Sequence, residues 1–140
     1  MKIHQAGAIP YRRKKGQIEI CLVTSRRGLW TFPKGMIDGS DSSVETALKE
    51  AHEEAGLYGE IEGAPVGLYR YEKWQRLLNV ELHLMRVDKA AKEWDEQDSR
   101  ERRWFSPEGA RDALPHETLR VLLDRALVKI GPIDLKNDED

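Results

Sequence analysis

The chain has 140 residues, of which 39% are hydrophobic and 34% are charged, as in a single globular domain. Its 23 basic and 25 acidic side chains leave a net charge of −2, so there is no overall basic field of the kind that attracts nucleic acid. We therefore expect one domain over residues 1–135, a frayed acidic tail over 136–140 and no nucleic-acid partner.

The single cysteine, Cys21, lies inside the apolar run Ile18–Val23 and cannot form an internal disulfide. A reducing, cytoplasmic location is expected, with the thiol buried as a small apolar group. No apolar run approaches the ~18 residues of a membrane span, and the first 15 residues lack the apolar core of a signal peptide. No membrane partner is expected.

Hydrophobic periodicity divides the chain into strands and helices. Strand patterns cover residues 4–11, 17–25, 29–33, 64–74, 77–87 and 102–106. Helical patterns follow Ser42 and cover residues 106–114 and 117–130, and 89–101 is a charged connection. Two main helices on opposite sides of a mixed sheet make an α/β sandwich the expected fold class.

The helix after Ser42 has clear ends. Ser42 and Glu45 have the spacing of a capping box, and Gly56 is suited to a left-handed terminating position. Apolar residues at three- and four-residue spacing predict the buried stripe: Val44, Ala47, Leu48, Ala51 and Ala55.

Three glutamates, Glu50, Glu53 and Glu54, share one face of this helix, beside the apolar stripe. Like charges at such spacing destabilise a helix, so the cluster serves either a solvated face or a cation. A position next to the buried stripe favours the cation, because a solubilising cluster would sit opposite the core. Hard divalent cations such as Mg²⁺ prefer oxygen ligands of this kind.

The stretch Gly35–Leu57 resembles the Nudix box. That signature reads Gly, five residues, Glu, seven residues, Arg-Glu, an aliphatic residue, any residue, Glu-Glu, any residue, Gly and an aliphatic residue. Six positions match outright: Gly35, Glu50, Glu53, Glu54, Gly56 and Leu57. Asp41 stands where the family has Glu, Lys49 where it has Arg, and Ala51 is a small residue at the aliphatic position.

The resemblance implies a Nudix-type α/β/α sandwich and a pyrophosphohydrolase in which water attacks phosphorus with the help of Mg²⁺ or Mn²⁺. Membership assigns metal binding to Glu50, Glu53 and Glu54, with the Gly35 carbonyl as a further ligand. Glu53, followed by Glu54, is the preferred group to activate water. In the family the positions of Asp41 and Lys49 orient the metal-binding acids. Lysine lacks the planar guanidinium of arginine, which can donate two parallel hydrogen bonds. We therefore expect Lys49 to orient the metal-binding acids differently.

The segments around Trp30 and Trp104 look most like the branch of diadenosine polyphosphate hydrolases and diphosphoinositol polyphosphate phosphohydrolases. Resemblance to this branch implies small, highly anionic, phosphate-containing substrates. Basic residues suited to such substrates flank the box: Arg26, Arg27, Lys34, Lys73, Arg76, Arg102 and Arg103. Arg26 and Lys34 are the preferred phosphate contacts. Hydrolysis of nucleoside triphosphates or of an RNA 5′ pyrophosphate, and a nucleotide-binding module with weak catalysis, stay open as alternatives.

The remaining features leave several choices. One of four tryptophans, Trp30, Trp74, Trp94 or Trp104, could stack on a base. Family resemblance allows a monomer or a homodimer.

Overall fold

The computed structural model describes residues 1–131. The predicted tail 136–140 lies outside this range. The elements in chain order are β1 (Gln5–Lys14), β2 (Gln17–Thr24), β3 (Trp30–Thr31), β4 (Lys34–Met36), α1 (Ser43–Ala55), β5 (Leu57–Ile61), β6 (Gly67–Lys73), β7 (Arg76–Ala90), β8 (Arg102–Phe105), α2 (Pro107–Ala113) and α3 (Glu117–Ile130). Within the described range, no helix is both long and apolar enough to traverse a bilayer.

The eight strands form one mixed sheet around β7. β1 pairs with β7 in parallel, and the other strand pairs are antiparallel. Residues in the middle of β7 pair with β1 and also with β5 or β6, so β5 and β6 share the edge of β7 that lies opposite β1. β7 pairs with β1 from Val80 onward, so among the strands residues 76–79 pair with β6 alone. The β6–β7 hairpin therefore extends past the body of the sheet.

The two faces of the sheet carry separate apolar clusters. In β2, Ile20 and Leu22 contribute to one cluster, with α3, whereas Cys21 and Val23 contribute to the other, with α1. This alternation is the period of two expected for a strand covered on both faces. The α/β sandwich predicted from the sequence is confirmed.

The predicted ends of α1 are confirmed. The Ser42 hydroxyl accepts from the Glu45 N–H at 3.0 Å, and Glu45 accepts in turn from the Ser42 N–H at 2.9 Å. Gly56 adopts the left-handed conformation with φ 66°. The buried stripe differs from the prediction at two positions, because Val44 is exposed and Thr46 is buried.

Two short strands were missed by the sequence interpretation. β4 has three residues and follows Pro33 directly, which is too short for a periodic signal. β5 is interrupted at Gly59 by a shift of register against β7. A side chain at Gly59 would overlap the Arg86 backbone, so glycine marks this irregularity rather than a loop.

Candidate active site

A cleft of about 780 Å³ opens at one side of the sheet. Its walls come from seven parts of the chain: Gln5 of β1, the 25–32 segment, β4, α1, the end of β6 with the turn after it, the 96–100 loop and the start of α3. β4 packs against α1, and the cleft beside β4 exposes the Glu50 and Glu54 carboxylates of that helix.

Two of the three predicted glutamates line the cleft. Glu50 and Glu54, one helical turn apart, both contribute to its wall, and only 3% of Glu54 is exposed. Glu53 is partly buried, and its charge acts on Glu50, but it is not part of the lining. The structure thus keeps the three acids together and aims two of them into the cleft.

Gly35 is required by the position of Glu50. β4 runs antiparallel to β1 and brings the Gly35 backbone against the Glu50 carboxylate. A β-carbon on residue 35 would overlap that carboxylate, so only glycine allows the approach. The first glycine of the sequence motif is explained by this contact.

The cleft carboxylates are strongly perturbed. Burial raises the pKa of Glu54, the Arg100 guanidinium opposes this shift, and the charges of Glu50 and Glu96 add to it. Burial also raises the pKa of Glu50, together with the charge of Glu53. The protein alone therefore concentrates more negative charge here than it neutralises, which is the condition that favours a bound cation.

Sequence reasoning missed two residues of the site, Glu96 and Arg100. Arg100 Nε donates to Glu96 Oε1 at 2.7 Å, and its Nη1 lies 3.6 Å from Glu54 Oε1. The backbone N–H of Glu96 donates to the Glu53 carbonyl at 3.0 Å, which ties the loop to α1. The only signal was the four-residue spacing of Glu96 and Arg100 within a charged connection, and that spacing does not indicate what the pair contacts.

The predicted phosphate contacts divide into two groups. Arg26, Arg27 and Lys34 line the cleft. Arg103 does not, because its guanidinium pairs with Glu101 at 2.9 Å and lies over the outer face of Trp30.

Lys34 is held in place by a short chain of hydrogen bonds. Its Nζ donates to Tyr71 Oη at 3.1 Å, and Tyr71 donates to Oε1 of the buried Gln5 at 2.8 Å. Because the lysine is only a donor, the single hydroxyl hydrogen of Tyr71 is committed to Gln5. The remaining donors of Lys34 are left for an anion in the cleft.

The residues at the two positions that depart from the Nudix signature lie outside the cleft. Lys49 Nζ is 3.6 Å from Asp38, which the sequence interpretation did not include. Asp41 is exposed, and its backbone N–H donates to the Asp38 carbonyl. Lys49 acts on the site through its charge, which opposes the burial-driven rise in the pKa of Glu50.

Arg102 does not line the cleft and has a structural role instead. Its Nη1 donates to the carbonyls of Ala55 at 2.7 Å and Ala91 at 2.8 Å, and its guanidinium covers the Trp94 ring. Arg102 thereby binds the last turn of α1, where carbonyls lack helical partners.

The donor set fits Mg²⁺ or Mn²⁺. These ions take a few carboxylates together with water and substrate phosphate oxygens, and the cleft offers carboxylates of Glu50, Glu54 and Glu96. Among residues 1–131, no three acidic or imidazole side chains converge in a ready-made coordination sphere.

A family model for the NUDIX domain matches residues 1–125. The chain therefore belongs to the Nudix family, a class of pyrophosphohydrolases, as the sequence predicted. Nudix hydrolase 4 of Arabidopsis thaliana is 31% identical over 129 residues, which cover 84% of this chain and 62% of that protein.

Two further relatives belong to the branch that the sequence suggested. Asymmetrical bis(5′-nucleosyl)-tetraphosphatase of Sus scrofa is 35% identical over 65 residues, covering 41% of this chain and 44% of that protein. The structure of a C. elegans Ap4A hydrolase binary complex matches with a TM-score of 0.81 at 22% identity, covering 93% of this chain and 98% of the other. That likeness supports the common fold.

Proposed function

We propose that this protein hydrolyses a pyrophosphate bond in a diadenosine polyphosphate or a diphosphoinositol polyphosphate, by metal-assisted attack of water on phosphorus. The observation that carries the proposal is the pair of the half-buried Glu50 and the buried Glu54 in a cleft that Arg26, Arg27 and Lys34 also line. An acidic floor below a basic rim suits an anion that binds through a cation.

Mg²⁺ or Mn²⁺ would be held by Glu50, Glu53, Glu54 and the Gly35 carbonyl. When bound, the ion neutralises phosphate charge and acidifies water.

The chain's own side chains divide the remaining work. Glu54 or Glu53 accepts the proton of the attacking water; the burial of Glu54 in the cleft wall supports the former, and the family resemblance the latter. Arg100 orients the Glu54 carboxylate. Lys34, Arg26 and Arg27 bind phosphate oxygens, and Arg103 is proposed to join them from the rim by swinging off Trp30.

The substrate class rests on resemblance. The tetraphosphatase and the Ap4A hydrolase named above act, by their names, on dinucleoside polyphosphates. The chain spans 62% of the length of Nudix hydrolase 4, so the activity of the whole protein is part of the proposal. The predicted cytoplasmic location stays a prediction.

A substrate panel with matched variants tests the proposal. The panel contains dinucleoside polyphosphates, diphosphoinositol compounds, nucleoside diphosphate sugars, nucleoside triphosphates and 5′-triphosphorylated RNA, each with Mg²⁺, Mn²⁺ or EDTA. We expect turnover of the first two groups, loss in EDTA, and a fall in kcat of about 10²–10⁴-fold in Glu54→Gln or Glu53→Gln.

Glu93→Gln is the control, because it removes the same charge from an exposed position outside the cleft. Turnover confined to triphosphates or RNA would move the assignment to those substrates. The absence of turnover of any compound, with nucleotide binding retained, would instead identify a binding module.

A further inference from the structure

Trp74 differs from the other three tryptophans. Trp30 packs edge-on against Phe105, Trp94 lies under Arg102, and Trp104 lies under Arg12 at 3.8 Å. Trp74 is 67% exposed and lines the cleft. It presents a large apolar ring to solvent at the mouth of a charged cleft.

The backbone at Trp74 has a conformation that is unfavourable for a residue other than glycine. Trp74 and Gln75 form the two-residue turn of the β6–β7 hairpin, and both have positive φ, 53° and 59°. Glycine or asparagine normally occupies such positions, and the β1–β2 hairpin has Gly16 in its turn. Neither strained residue is a glycine, and one of them is tryptophan, which has the largest side chain. This suggests that the Trp74 side chain has a function that offsets the backbone strain.

The hairpin places Trp74 along the line of the proposed phosphate contacts. Tyr71 of β6 holds Lys34, and Tyr71, Lys73 and Trp74 all line the cleft. Trp74 lies three residues beyond Tyr71, which is ~10 Å of strand. Lys73 lies next to it, with Nζ 4.4 Å from the indole centroid.

We propose that Trp74 is the stacking platform for an aromatic ring carried at the far end of the phosphorylated substrate, with Lys73 beside it to bind the adjoining phosphate. This proposal rests on the function proposed above and narrows the substrate class. The separation of Trp74 from Lys34 favours a substrate with a long phosphate chain and a terminal base over a compact inositol. Base–aromatic stacking accepts any planar ring, so the platform selects for a ring and for length rather than for base identity.

A ring on a phosphate chain fits this surface better than a second protein copy. Trp74 lines the cleft together with three cationic side chains that attract an anion, Lys34, Arg70 and Lys73, and with one carboxylate on β6, Glu72. The apolar patch around it is small, since the neighbouring exposed Leu77 does not line the cleft.

Three variants isolate the ring. Trp74→Ala removes it without changing the strain of the turn, because alanine has the same aversion to positive φ. Trp74→Phe keeps a ring, and Leu77→Ala removes another exposed apolar side chain of the hairpin, one that does not line the cleft.

For diadenosine tetraphosphate we expect KM to rise about 5- to 150-fold in Trp74→Ala, with kcat nearly unchanged. Trp74→Phe should recover most of the loss, and Leu77→Ala should behave as wild type. With diphosphoinositol pentakisphosphate, which has no aromatic ring, Trp74→Ala should match wild type.

A binding measurement separates this proposal from the activity. Calorimetric titration of diadenosine tetraphosphate into the wild type and Trp74→Ala needs no turnover, so a stacking role is visible even if hydrolysis fails. Equal affinity of the two proteins, an equal loss with the ring-free compound, or a change in oligomeric state on sedimentation of Trp74→Ala would overturn the proposal.

Discussion

The contact between Gly35 and Glu50 makes one backbone position decisive for the site. In Gly35→Ala the new methyl group would overlap the Glu50 carboxylate and push it, or β4, out of place. We expect kcat to fall by at least about 10-fold, because small displacements of catalytic groups are costly. Steady-state kinetics and Mg²⁺ titration measure the effect.

Gly39→Ala is the control for this change. Gly39 has φ 53° with open space around it, so the variant suffers backbone strain of ~1 kcal/mol without touching Glu50. We expect a lower melting temperature with activity retained. Equal activity in Gly35→Ala and wild type would contradict the role of the contact.

The raised pKa of Glu54 links the cleft to stability. The folded, metal-free protein binds more protons at this carboxyl than the unfolded chain does, so the free energy of unfolding falls as pH rises above about 4.3. In EDTA we expect the melting temperature to drop between pH 5 and pH 8. Glu54→Gln should flatten that drop and exceed the wild type in stability at pH 8.

Mg²⁺ gives the matching test. It should raise the melting temperature of the wild type at pH 8 more than that of Glu54→Gln, because a cation offsets the buried negative charge. Glu93→Gln should follow the wild type throughout. A Glu54→Gln protein that is less stable than wild type at pH 8 in EDTA would show that the ion pair with Arg100 outweighs burial.

At the residue scale, the spacing of residues within one helix predicted which side chains share a face of that helix. It did not predict which residues from other segments contact that face. Glu50, Glu53 and Glu54 share a face because they share a helix, and the sequence shows that directly. Arg100 and Glu96 reach the same site from a loop more than 40 positions away, and their contacts depend on how β7 and β8 bring that loop back.

At the element scale, the end of α1 is held by its neighbours. We expect Arg102→Met to lose ~2 kcal/mol of the free energy of unfolding, because two buried hydrogen bonds from a charged group to Ala55 and Ala91 disappear. Urea unfolding measures this loss.

The adjacent Arg103→Met removes the same charge from an exposed ion pair. It should change stability by less than about 0.5 kcal/mol, and any effect should appear in KM instead. Equal destabilisation by the two variants would mean that charge, rather than the cap on α1, stabilises this region.

Elements with their own stop signals were predictable. α1 begins and ends where Ser42 and Gly56 indicate, and the short α2 begins at Ser106 and Pro107 as its sequence suggests. β4 and β5 are defined by pairing with β1 and β7, distant in sequence, so no local periodicity could reveal them.

At the scale of the whole molecule, the 23-residue motif identified the family and hence the fold. The cleft itself is assembled from seven separated segments of a fold whose strand β7 pairs with three others. No pattern in the sequence shows that arrangement, so the basic residues near the box could be named from the sequence but not divided into those that line the cleft, such as Arg26 and Lys34, and those that do not, such as Arg103.

The burial of Cys21 has a practical consequence. Its thiol has no exposed surface, and burial raises its pKa to about 12, so thiol reagents should leave the native protein unmodified at pH 8 and react only after denaturation. Mass spectrometry after brief treatment with iodoacetamide checks this, and rapid native alkylation would contradict it. The native cysteine therefore does not interfere with site-directed labelling. A cysteine introduced by Leu77→Cys would carry a single spin label or fluorophore on the hairpin. Motion of the Trp74 turn could then be followed without replacing Cys21.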